Sequence, residues 1–91
     1  MFTIYRVTNI VTGQCYVGYT TQSIEQRWRE HRQSAQTGSP ARLHDAMQRS
    51  GLGAFEIESL ETGRNDRIGL RLREPWWIQE LQPIYNMTIG G

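Results

Sequence analysis

Phe2-Thr3-Ile4-Tyr5-Arg6-Val7-Thr8, the turn from Asn9 to Gly13, and Gln14-Cys15-Tyr16-Val17-Gly18-Tyr19-Thr20 form the stretch on which the fold depends. β-branched and aromatic residues fill both flanking runs, and Gly13 suits a left-handed turn position. Residues 2–8 and 14–20 are therefore predicted to be the strands of an antiparallel hairpin. With a short turn, Tyr5 and Tyr16 pair nearly opposite each other and share a face. A bulge at Gly13 would shift that register. Taken alone, such a pair also reads as an ordinary aromatic contact in a core. Gly18 leaves its strand bare, either for a bulge or for close approach of another backbone. Cys15 alternates away from Tyr16.

Outward from the hairpin, Ser23 is a good N-cap for a helix over about 24–35. Gly38-Ser39-Pro40 breaks the chain. A short helix over about 41–50 follows, with Leu43, Ala46 and Met47 at core spacing, and Gly51 and Gly53 end it. Residues 54–60 alternate and predict a third strand. A turn spans 63–66, and a last helix runs over about 66–81, where Pro75 must kink or split it. The segment 84–89 is predicted to be extended. The order β-β-α-α-β-α predicts an α+β fold, a small mixed or antiparallel three-stranded sheet flanked by helices, with residues 1–91 as one domain.

The net charge of +1 argues only weakly for a nucleic-acid partner. The type of cation says more, because all ten basic residues are arginine. Lysine Schiff-base, lysine general-base and phosphate-loop lysine chemistries are thereby excluded, while arginine is the better fork for phosphate oxygens. Arg27, Arg29, His31 and Arg32 form the nearest approach to a basic patch. Arg29, Arg32, Arg42 and Arg49 are candidate DNA-phosphate contacts, or else solvated surface charges. The single cysteine excludes an internal disulfide and a CxxC metal clip. There is no apolar run long enough for a membrane and no signal-peptide pattern, so a cytoplasmic protein without a membrane partner is the expectation.

Two helices carry polar residues where a core should be. At about 100° per residue, Ile24, Trp28 and Ala35 share a face, and Arg27 and His31 lie within or beside it. The far side already holds Glu25 and Arg29 as an i,i+4 pair. Arg27 is then either a partly buried arginine paired with an acid, one that snorkels outward, or a functional group. In the last helix Leu70, Trp77, Ile78 and Leu81 form a stripe, and Glu74 falls inside it. An unpaired buried carboxylate costs several kcal/mol, so Glu74 needs a cation, either Arg27 or a metal ion. His44 is expected to be an exposed helix residue or a DNA contact, and Trp76 and Trp77 to be core.

Thr3-Ile4-Tyr5, Tyr16-Val17-Gly18, Arg27, His31, Glu74 before Trp-Trp-Ile-Gln-Glu-Leu, and Tyr85-Asn86 together resemble the GIY-YIG nuclease family. The closest likeness is to the catalytic domain of phage-type homing endonucleases, and it covers essentially the whole chain. Two departures stand out. Thr3 replaces the usual glycine, and Pro75 directly follows the glutamate.

The resemblance implies a metal-dependent DNA endonuclease, bacterial or phage-encoded, that leaves 5′-phosphate and 3′-hydroxyl ends. It implies that Glu74 binds one divalent ion, Mg²⁺ with Mn²⁺ as substitute. Tyr5 and His31 would activate water, Arg27 would stabilise the phosphate, and Tyr16 would hydrogen-bond phosphate or water. Asn86 would brace Glu74 or the metal's shell, and Gly18 is a supporting residue. The partner is double-stranded DNA. Specific DNA interfaces bury roughly 1,000 Å² or more, so an additional DNA-binding domain or a homodimer is expected to supply target choice. Otherwise the protein is a cut-down, weakly specific or partner-guided enzyme. Two other readings stay open: a non-catalytic nucleic-acid-binding module on the same fold, and an interaction domain in which Arg27 and Glu74 are a buried salt bridge.

Overall fold

The computed structural model describes residues 1–86. Strand β1 (Phe2–Asn9) lies between β2 (Cys15–Thr20) and β3 (Phe55–Gly63), giving a sheet of order β2-β1-β3. Both pairings are antiparallel, so the sheet expected as mixed or antiparallel is wholly antiparallel. Helices α1 (Ile24–Gln36) and α2 (Arg42–Ser50) precede β3, and α3 (Asp66–Ile68) and α4 (Glu74–Leu81) follow it.

The hairpin turn holds its register through Asn9. Its side-chain oxygen accepts from the Val11 and Thr12 amides, and its carbonyl accepts from Gly13, whose φ of +78° explains the glycine. The result sets Tyr5 opposite Gly18, and Tyr16 opposite Val7. Tyr5 and Tyr16 thus share a face as expected, but as diagonal neighbours rather than as an opposed pair. The register shift is not at Gly13. It falls between Ile4 and Tyr5 against β3, where Leu60 is the extra residue.

Being central, β1 is buried on both faces and feeds two cores. Tyr5 and Val7 pack with Ala35, Leu43, Met47 and Phe55 under α1 and α2. Phe2 and Ile4 join Val17 on the other face, covered by Tyr19, Leu60, Trp77, Ile78 and Leu81. The alternation of a strand places these neighbours on opposite sides.

The last helix departs most from expectation. Between α3 and α4 the chain makes a π-helical turn over Gly69–Arg73, and the Glu74 amide donates to Gly69 O, five residues back. Pro75 sits at the start of α4, where a missing N–H is tolerated, so it neither kinks nor splits α4. The π turn shifts the helical phase. Trp77, Ile78 and Leu81 face the second core as expected, whereas Leu70 is 50% exposed. Gly69 is required there by close approach, because a Cβ would lie 2.4 Å from the Phe2 ring. Trp76, expected in the core, is 44% exposed, with the Arg73 guanidinium 4.8 Å from its ring centre. Ile84–Asn86 forms a short 3-10 turn instead of an extended segment. The rest of that expected segment, 87–89, lies outside the described residues.

Candidate active site

The first candidate side chains meet beneath α1. Ser23 caps this helix by accepting from the Gln26 amide. That fixes the start of α1 and so the direction in which its polar inner residues point. His31 is 2% exposed and reaches the sheet face that carries Tyr5 and Tyr16. Its Nε2 and the Tyr5 hydroxyl share a hydrogen bond of 2.7 Å. The rings of Tyr5 and Tyr16 are 6.2 Å apart, and His31 meets both edge-on. Gly18 lies under the Tyr5 ring. The close approach foreseen at Gly18 is therefore by a side chain rather than by a backbone.

Arg27 is partly buried and pairs with Glu30 at 3.1 Å, one turn along the same helix. Burial works against its charge, but Tyr5, Glu30 and Tyr16 outweigh that and keep it protonated. Burial pushes the Tyr5 hydroxyl well above the usual phenol range, and Tyr16 adds to this while Arg27 opposes it. Tyr16 is raised by burial, against Arg27 and with a further contribution from Glu74. His31 is driven the other way, to about 3, by burial first and then by Arg27 and His44. It is a neutral imidazole, able to accept at one nitrogen and donate at the other.

Glu74 opens α4, which packs against β2. Its charge helps to raise the hydroxyls of Tyr16 and Tyr19, both on the edge strand β2. It is half-buried, and burial raises its pKa. No ion pair joins it to Arg27, whose partner is Glu30, so the buried salt-bridge reading is excluded. Among the described residues it has no hydrogen-bond or charge partner. None of them forms a cluster of three or more His, Cys, Asp or Glu side chains. A lone, half-buried, unpaired carboxylate fits a hard ion such as Mg²⁺, which is typically held by one or two carboxylates and completes its shell with water and phosphate oxygens.

A model of the GIY-YIG catalytic domain matches residues 1–86. The chain belongs to the GIY-YIG family.

Among solved structures, the catalytic domain of the homing endonuclease I-TevI is similar to this GIY-YIG domain, with a TM-score of 0.78 and 27% identity. The match covers 90% of this chain and 89% of that one. A glutamate-to-alanine mutant of the same intron endonuclease domain matches at 28% identity and a TM-score of 0.78, covering 90% and 86%. Among curated proteins, 58 residues (64% of the chain) are 33% identical to "Uncharacterized protein 019R" of Invertebrate iridescent virus 6. That match spans 21% of the viral protein's length. The chain thus carries an endonuclease catalytic domain of a family whose members generally depend on a divalent metal. No helix among the described residues is long and apolar enough to cross a membrane.

Other GIY-YIG positions fall less simply. Asn86, expected to brace Glu74 or the metal's shell, spends its amide on β2: Oδ1 accepts from Val17 N at 2.7 Å and Nδ2 donates to Val17 O at 2.8 Å. Arg29 and Arg32 are exposed on α1. Arg42 donates to the Ile84 carbonyl, and Arg49 pairs with Asp45. His44, expected to be exposed or on DNA, is half-buried. Its Nε2 lies 2.8 Å from His31 Nδ1, and its Nδ1 lies 2.7 Å from Ser39 Oγ. Sequence spacing does not mark His44 and Ser39, because His44 is distinguished only by its contact with His31 and Ser39 only by its contact with His44. The available signal was that His44 adjoins the core residue Leu43, at the rim of the buried face of α2.

Proposed function

We propose that this domain is a metal-dependent DNA endonuclease that hydrolyses phosphodiester bonds to 5′-phosphate and 3′-hydroxyl ends, with double-stranded DNA as substrate. The observation that carries this reading is the buried 2.7 Å hydrogen bond between the Tyr5 hydroxyl and His31 Nε2, beside Arg27. A phenol needs a proton acceptor to act on water near neutral pH, and His31 supplies one. Tyr5 orients the attacking water and takes its proton as its own passes to His31. Arg27 offsets the negative charge that grows on the phosphate, and Tyr16 hydrogen-bonds phosphate or water. Glu74 holds one divalent ion, Mg²⁺ with Mn²⁺ as substitute. When bound, that ion supplies positive charge at the scissile phosphate and the departing 3′ oxygen. Asn86 and Gly18 support the site through β2.

Arg32, which has no internal partner among the described residues, is placed to meet phosphates further along the duplex, whereas Arg29, Arg42 and Arg49 would exchange their internal partners Gln26, the Ile84 carbonyl and Asp45 for DNA. Phosphate contacts position a protein without reading sequence. Target choice is left to a further DNA-binding region or a second copy.

The test is nicking of supercoiled plasmid with Mg²⁺ or Mn²⁺. The wild-type domain should convert the plasmid, and Glu74→Ala should not. Absence of nicking by wild type, or equal nicking by Glu74→Ala, overturns the reading. Tight DNA binding without any cleavage would establish a binding module instead.

A further inference from the structure

His44 is in no set of residues named for the proposed chemistry, yet the structure ties it to the centre of the site. Three short hydrogen bonds run in series. Tyr5 Oη meets His31 Nε2 at 2.7 Å, His31 Nδ1 meets His44 Nε2 at 2.8 Å, and His44 Nδ1 meets Ser39 Oγ at 2.7 Å. The residues come from β1, α1, α2 and the turn between the two helices. The chain leads from a fully buried phenol to a half-buried serine at the surface.

We propose that His44 and Ser39 form the outer half of a proton-transfer chain, Tyr5–His31–His44–Ser39, that carries the Tyr5 proton to solvent during cleavage. The proposal rests on the nuclease reading above. Each imidazole uses both nitrogens within the chain, so one polarity serves the reaction. Tyr5 donates to His31 Nε2, His31 Nδ1–H donates to His44 Nε2, and His44 Nδ1–H donates to Ser39 Oγ. In transfer, the Tyr5 O–H bond breaks and an N–H bond forms at His31 Nε2. The His31 Nδ1 proton moves to His44 Nε2, and the His44 Nδ1 proton moves to Ser39 Oγ, which releases its own hydroxyl proton to water. Neither imidazole is left charged. To reset the chain after product release, the proton that Tyr5 took from water passes to solvent on the DNA side, and the same hops run in reverse with a proton drawn from solvent at Ser39.

The surroundings favour passage over storage. The charged or titratable groups around the chain are Arg27 on α1, itself paired with Glu30, and Tyr16 on β2. The Arg27 charge and burial disfavour an imidazolium at either histidine. A proton reaching His31 therefore has to move on. His44 acts through His31 and touches no reacting atom, so it is a positioning and relay residue.

The experiment compares single-turnover plasmid cleavage by wild type, His44→Ala and His44→Gln, with DNA affinity measured alongside. Glutamine still accepts from His31 Nδ1 and holds its tautomer, but it cannot pass the proton on. Both variants should cleave about 10–100-fold more slowly, with DNA affinity unchanged. Added imidazole should restore part of the His44→Ala rate. Wild-type cleavage by His44→Gln overturns the relay and leaves the nuclease reading intact. No cleavage by wild type overturns that reading, and the relay with it. Ring ¹⁵N spectra of the DNA-free protein test the polarity without any cleavage: both histidines should be protonated at Nδ1, and an Nε2-protonated His31 overturns the proposal.

Discussion

A Cβ on residue 18 would lie 2.3 Å from both Cζ and the hydroxyl oxygen of Tyr5, so the Tyr5 ring occupies the space that a side chain at position 18 would fill. Gly18 faces Tyr5 directly across the β1–β2 ladder. The conformation of Tyr5 therefore depends on the absence of a methyl group next door. Gly18→Ala should move the hydroxyl off His31 and cost about 1–3 kcal/mol, the usual range for overpacking a buried site. Urea denaturation reads the stability, and plasmid nicking should fall with it. A variant of unchanged midpoint and activity would show that Tyr5 has room to spare.

Tyr5→Phe keeps the ring in its core and removes only the hydroxyl. Stability should fall by about 1 kcal/mol for one buried hydrogen bond. Cleavage should fall about 10²-fold or more, in the range lost with a general acid–base group. DNA affinity, measured by fluorescence anisotropy, should stay within about twofold, a change of roughly 0.4 kcal/mol. Near-normal cleavage by Tyr5→Phe would remove Tyr5 from the reaction.

Burial raises the Glu74 pKa, so folding disfavours its ionised form. The sign follows: above the folded pKa the charged carboxylate weakens the fold, and the penalty fades as pH falls and the group protonates. At neutral pH without metal, Glu74→Gln should melt higher than wild type. Mg²⁺ should then raise the melting temperature of wild type alone, by an amount equivalent to about 2.7 kcal/mol at a hundredfold excess over Kd. Equal Mg²⁺ responses in the two proteins would place the ion elsewhere.

His31 titrates far below its ordinary value of 6.5, at about 3, because it is buried and faces Arg27 and His44. The unfolded chain therefore binds this proton first as the solution is acidified. Its contribution is intact above about pH 6.5 and is lost between there and about pH 3, by up to about 1.4 kcal/mol per pH unit. His44 is lowered too and steepens the loss. Urea midpoints at about pH 7.5 and pH 5 should differ more for wild type than for His31→Gln. An identical slope would contradict a buried neutral His31.

Asn86→Ala removes two hydrogen bonds to Val17 and should cost about 1–3 kcal/mol. Hydrogen exchange at the Val17 amide should speed up, while amides of central β1 keep their protection. Unaltered exchange at Val17 would mean that the asparagine does not hold the strand edge.

Local rules revealed much of this architecture. The hairpin, the first two helices and the third strand follow from alternation, caps and glycine breaks, and helical phase alone marks Arg27 and His31 as inward polar groups. The shared face of Tyr5 and Tyr16 was legible, but their diagonal offset was not, because it depends on a turn in which Asn9 takes Val11 and Thr12 amides. Glu74 is half-buried and has no charge partner among the described residues, although the stripe that marks it fails at Leu70. A π turn adds a residue without leaving a sequence period behind, and here it is accommodated by the Phe2 ring against Gly69. His44 was hidden for another reason. Its role depends on a contact between two helices, and no spacing within one helix reports that.

The clamp on Val17 reaches across 69 positions of chain. On a translating ribosome the hairpin is made well before Asn86, so the outer rim of β2 keeps an open N–H and C=O at Val17 until that residue follows. An open strand rim is adhesive toward other chains. One asparagine therefore closes the hairpin against neighbours, and it does so only after the 69 positions that separate it from Val17 have been made.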